Sequence, residues 1–250
     1  MFVTGVATRS KSVHKGIDGS TIEMSGDDVD LSPPATSVVS YLVAGRIYEF
    51  TASHRDVGRD VARDLGFSLD EAYSLQQGTL AVGSTTQAFP TGNPDVPDEV
   101  IPYHLASWSG RSFSIHTHLY GGTKSELVAV FHQFAIRETQ WGVTLVPRGR
   151  NSAILERQPL LMKSVGGIGQ FQIHQLTKEF ARSLPRSPGT EVRGGELFVS
   201  GDAIAGSDCS ELVFQLVSES AHALVLPDEG IDSDRLASRL SELVVGWQTE

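Results

Sequence analysis

Cysteine is almost missing from this 250-residue chain. Cys209 stands alone, so no internal disulfide can form, and a structural metal centre built from several thiolates is excluded. A reducing cytoplasm is the simplest compartment for such a composition. Long apolar runs are missing too: nothing reaches the ~18 residues of a spanning helix, and the opening MFVTGVATRSKSVHKG lacks the apolar core of a secretion signal. Positive charge is in short supply, with 20 Lys and Arg against 30 Asp and Glu, a formal net charge of -10. That balance argues against nucleic acid and membrane as main partners and favours another protein with a basic surface. Catalytic motifs are also missing. There is no Gly-x-Ser-x-Gly elbow and no His-Glu-x-x-His helix, and Cys209 follows Asp208, whose carboxylate discourages a thiolate. No motif places a catalytic residue or asks for a cofactor.

What is present is an ordinary globular composition, 40% hydrophobic and 20% charged, long enough for one large domain or two modest ones. Residues 1–34 read as a polar N-terminal arm. Asp27, Asp28 and Asp30 within it lack the spacing and terminal Glu of a calcium loop and read as a solvated turn. Residues 35–102 read as an N-terminal α/β region. It opens on SVVSYLVAGRIYEF, a buried strand or a short helix. RDVGRDVARDLG follows, with Val57, Val61 and Leu65 four apart on one helical face and Gly66 as its stop. AFPTGNPDVPDEVIP, with Pro90, Pro94, Pro97 and Pro102, breaks helix and central strand alike and reads as a linker.

Residues 103–250 carry an approximate repeat, in halves of about 111–185 and 195–247. SFSIHTHLYGGTKSELVAVFHQFAIRETQWGVTLVP reads as strand, turn, SELV strand, turn and strand, and GELFVSGDAIAGSDCSELVFQLVSESAHALVLP repeats that order. Helices are expected after each, over FQIHQLTKEFARSLP and over DSDRLASRLSELVVGW, the second capped by Asp232 or Ser233 with Leu236, Leu240, Leu243, Val244 and Trp247 on one face. The expected fold class is therefore α+β, a mainly antiparallel sheet from two pseudo-symmetric ββ(β)α halves with helices packed on it. Such symmetry favours a homodimer or larger assembly.

His116 and His118, in SIHTHLYGG, are the candidate metal ligands. Alternation puts them on the polar face of a strand from Arg111 to Tyr120, with Ser112, Ser114 and Tyr120. Two imidazoles at i and i+2 can grip one ion, but a site needs a third ligand. His132 falls on the apolar face of the expected SELV strand, so the pair reads as a solvated or interfacial polar face. VGGIGQ at 165–170 lacks the Lys-Ser/Thr of a P-loop and the third Gly of a dinucleotide fingerprint, and reads as a turn before a helix.

The order of two β-rich halves each closing with a helix, ending in AHALVLPDEGIDSDRLASRLSELV, resembles the cytosolic chaperones of type VII (ESX) secretion over residues 111–247. The resemblance implies a quasi-twofold α+β fold that binds secreted substrates without turning them over. The helix-rich segment that family places between its halves has no counterpart here, and no site residue carries across. The expected function is a non-catalytic protein-binding protein, an adaptor, chaperone or assembly component. The alternatives are a metal-dependent or histidine-using hydrolase built on His116 and His118, and a structural subunit of a larger particle such as a phage or bacterial assembly.

Overall fold

The computed structural model describes residues 9–90, 97–185, 187–200 and 212–249. Cys209, Asp208 and the start of the second SELV lie outside them, as do Pro94 and its neighbours in the expected linker.

In chain order the first elements are β1 (Arg9–Lys15), β2 (Thr21–Asp27), β3 (Ala35–Val43), β4 (Arg46–His54), α1 (Val57–Asp64), β5 (Ser68–Leu75), β6 (Gly78–Phe89), β7 (Glu99–Ser109) and β8 (Phe113–Tyr120). Then come α2 (Lys124–His132), β9 (Phe134–Thr139), β10 (Gly142–Pro147), β11 (Ile154–Val165), β12 (Gly169–Gln175) and α3 (Lys178–Ala181). The chain closes with β13 (Thr190–Val192), β14 (Gly195–Ser200), β15 (Val213–Val217), β16 (Ala221–Pro227), α4 (Ser233–Ser241) and β17 (Val244–Gln248).

The expected α+β class is overturned: 58% of the described residues lie in strands of mostly antiparallel sheet, and only 13% in four short helices. Helices of four to nine residues cap patches of sheet and do not form a layer. The pseudo-symmetric halves fail with it. SELV at 125–128 is helical in α2, where Thr123 and Glu126 close a reciprocal capping box. His132 is thus the exposed last residue of a helix and has no place on a strand. FQIHQ of the expected first helix is strand β12, and β8 pairs with β4 and β7, whereas β14, β15 and β16 form a consecutive meander. The linker reading fails as well, because Pro102 lies within β7 and pairs with Thr86 of β6, while some local readings hold in part. α1 and α4 form inside the expected segments, Gly66 turns at φ +74°, and Asp232 caps α4 by accepting from Asp234 and Arg235 N–H. But α4 stops at Ser241, so Val244 and Trp247, expected on its apolar face, lie in strand β17, and α1 buries Gly58 and Ala62 while Val57 and Leu65 are exposed.

The chain divides into two compact units, one of residues 37–158 and one joining 1–36 to 159–250. In the first, strands run in the order β3, β4, β8, β7, β6, β5. SVVSYLVAGRIYEF makes the β3–β4 hairpin through a two-residue turn, Ala44 and Gly45, both at positive φ as the twist of paired strands prefers. On one sheet face Tyr41 and Phe50 meet Phe131 of α2 and Phe134 of β9 at ring separations of 5.1 to 6.2 Å. α1 covers part of the other face.

In the second unit the order is β13, β14, β15, β16, β12, β11, with a three-stranded sheet β1, β2, β17. Ile22, Met24, Val245 and Trp247 of the small sheet share one core with Phe171, Ile173, Phe214 and Val225 of the larger, closed by Leu236 and Leu240 of α4. β1 and β2 thus occupy much of the stretch read as a polar arm. Lys163, 1% exposed, points into this core and donates to the carbonyls of Leu31 (2.9 Å) and Pro33, tying down the chain after β2.

Candidate functional site

Position 116 faces Thr51 of β4 on one side and Ser107 of β7 on the other, and 118 faces Leu105. Ser114, His116, His118 and Tyr120 therefore share one face of the sheet, as strand alternation requires. Its two ends differ. At the Ser114 end α1 lies on a floor of serines: a Cβ on Gly58 would stand 2.5 Å from Ser107 Oγ, so only glycine allows the helix this close. His116 is walled in beside it. Burial, with a smaller contribution from His118, lowers its pKa to about 4, and its Nδ1 has no hydrogen-bond partner.

The Tyr120 end is open. Here a groove of about 420 Å³ is lined by Ser40, Arg46, Ile47, Glu49, His118, Leu119, Tyr120 and Arg157. Burial lowers the pKa of His118, and the Glu49 carboxylate opposes that shift. Ser40 is 4% exposed, yet its hydroxyl bonds to nothing among the described residues. His118, Glu49 and Arg157 likewise make no hydrogen bond or ion pair among the described residues, while Arg46 reaches Glu126 at 3.6 Å. Tyr120 is 44% exposed and held in place: its ring stacks on Tyr103 of β7 at 4.2 Å and 3° and makes T-shaped contacts with Phe89 and His118. Tyr103 covers the β7 side of the ring, and Tyr120 lines the groove.

Of the sequence candidates, His118 lines this groove and His116 sits beside it, paired with Ser107 of the serine floor that α1 packs on. Among the described residues no group of three or more His, Cys, Asp or Glu side chains could hold a metal ion. VGGIGQ forms the turn between β11 and β12, ahead of a strand and not of a helix, and Arg239 donates to the Gly167 carbonyl at 2.8 Å. The Asp27 carboxylate accepts from Arg193 at 2.7 Å, and that of Asp30 from the Ser32 N–H at 2.9 Å. Ser40, Arg46, Glu49 and Arg157 went unremarked in the sequence because they come from separate strands with no shared motif. Tyr120 alone had a signal, as the last polar-face position of the SIHTHLY alternation.

Comparison of the chain with protein-family models, with curated proteins and with solved structures finds no match. No described helix is long and apolar enough to cross a membrane.

Proposed function

We propose that this chain is a non-catalytic, cytoplasmic protein-binding protein, an adaptor, chaperone or assembly component, and that its partner docks on the unit of residues 37–158. One observation carries the reading. Of the thirteen large hydrophobic side chains exposed among the described residues, eleven belong to that unit, including Ile47, Trp141, Val146, Ile154 and Leu155 at 38 to 55% exposure. Exposed apolar side chains supply contact area at interaction surfaces, and aromatic residues and arginine supply most hot spots. Charge divides the other way. Residues 37–158 hold ten Lys and Arg against twelve Asp and Glu, and the remainder of the chain ten against eighteen. An acidic remainder steers a basic partner, while the near-neutral unit supplies contact area.

The test is copurification with wild type and with Trp141→Ser/Ile154→Ser/Leu155→Ser, after circular dichroism has shown equal folding. A stoichiometric partner bound by wild type and lost from the variant is the expected result. A partner retained equally by the variant overturns the assigned surface, and a hydrolytic turnover abolished by His116→Ala overturns the non-catalytic reading.

A further inference from the structure

The groove beside His118 differs chemically from the apolar surface just described. Its walls are polar side chains whose hydrogen-bonding capacity the protein leaves unused. An unused polar group in a largely buried residue such as Ser40 costs free energy unless water or a ligand supplies the partner. Four such groups converge here: the Ser40 hydroxyl, the Glu49 carboxylate, the His118 imidazole and the Arg157 guanidinium. They surround one aromatic face, that of Tyr120, immobilised by its stack on Tyr103.

Charge narrows the ligand class. The groove carries Glu49 against Arg157, with Arg46 offset by Glu126 at 3.6 Å, so neither sign dominates. A phosphate, a sulfate or a lone ammonium would meet an opposing charge. A neutral ligand rich in hydroxyls, with one apolar face, meets none. Hydroxyls both donate and accept, matching a set that offers a carboxylate acceptor, a guanidinium donor and two groups, serine and imidazole, capable of both. The apolar C–H face of a pyranose ring fits the electron-rich face of tyrosine. The volume of about 420 Å³ lies within the ~300–1,000 Å³ typical of small-ligand sites and leaves the groove open at its rim for a longer chain.

We propose that the groove formed by Ser40, Glu49, His118, Tyr120 and Arg157 binds a neutral saccharide, one pyranose ring stacking on Tyr120 and its hydroxyls bonding to Glu49, His118 and Arg157. Ile47, 52% exposed on the same rim, adds an apolar contact for a neighbouring sugar unit. Ile47 and Tyr120 also belong to the exposed apolar set of this unit, but the saccharide reading rests on the polar groups of the groove and stands or falls without the partner surface.

The experiment uses the full chain on an array of neutral and sulfated glycans, followed by saturation-transfer NMR with the best neutral disaccharide. Transfer to the sugar ring protons is expected for at least one neutral glycan, retained by Tyr120→Phe and weakened about tenfold by Tyr120→Ala or Glu49→Gln. Both positions are exposed, and matching thermal melts separate lost binding from lost folding. Absence of every neutral glycan at millimolar concentration overturns the proposal. So does preference for sulfated glycans, or binding that survives Tyr120→Ala intact.

Discussion

Acidification from pH 7 to pH 5 should strip stability from this protein before its carboxylates are protonated. Three histidines, His14, His116 and His222, have pKa values lowered from 6.5 to about 4, in each case first by burial, with Lys163, His118 and His174 respectively adding repulsion. The folded pKa lies below the unfolded one, so the fold favours the neutral ring. That contribution is complete above 6.5 and is lost as the pH falls from 6.5 toward 4. At pH 5 the gap between folded and unfolded protonation amounts to about 2 kcal/mol per ring, an upper value for His14 and His116, which keep partial contact with water. Several kcal/mol is a large part of the ~5–15 kcal/mol that holds a domain folded. Urea titrations followed by tryptophan fluorescence report both units, since Trp108 in one and Trp247 in the other are buried. Unfolding midpoints should fall steadily from pH 7 to pH 5, and His116→Gln, which removes one titrating ring, should flatten the fall in the unit of residues 37–158. A midpoint level across that window, or a His116→Gln protein as acid-sensitive as wild type, refutes the reasoning.

Alkaline conditions act through Lys163, whose pKa burial lowers to about 8 against the opposing pull of Asp30. Because its folded pKa lies below its unfolded one, stability should rise by about 2 kcal/mol between pH 8 and 9.5. Lys163→Met should abolish that rise in urea titrations, and at pH 7 cost about 2 kcal/mol by orphaning the Leu31 and Pro33 carbonyls. The Glu138 carboxylate accepts from the backbone N–H groups of Arg111, Ser112 and Phe113 at 2.5 to 3.2 Å, holding the turn before β8. Glu138→Ala should therefore lower the melting temperature by an amount equivalent to about 2 kcal/mol, with Glu138→Gln less severe; a melt unchanged by Glu138→Ala contradicts that role. Thr123→Ala opens the α2 capping box and should cost about 1 kcal/mol, read by hydrogen exchange as faster exchange at Glu126 N–H.

What was legible in the sequence rests on contacts within a turn or two of chain. α1 followed from valines four residues apart, α4 from its Asp232 cap and leucine stripe, and β8 from alternation in SIHTHLY. The capping signal Thr-Lys-Ser-Glu at 123–126 was also there to be read, but the apolar run after it looked equally like a strand, and its likeness to the later SELV gave the wrong period. FQIHQ misled for a related reason. Its apolar residues, Phe171 and Ile173, fit a strand, but the helix-forming residues after Gln175 extended the expected helix backwards over them.

Composition and local pattern by themselves determined the net charge, the lack of disulfides, two of the helices and the shared face of His116 and His118. Tertiary structure alone decided that strand pairing, and not helix packing, dominates the fold, because pairing partners such as β4 and β8 lie about sixty residues apart and no local pattern names them. It also decided that two histidines on one face differ. α1 packs on Ser107 and Ser114 beside His116, and the neighbouring strands bring Ser40, Glu49 and Arg157 to His118 and Tyr120. Burial and convergence are properties of the assembled sheet, set by which strands become neighbours, and a linear chain encodes them only through the free energy of the whole fold.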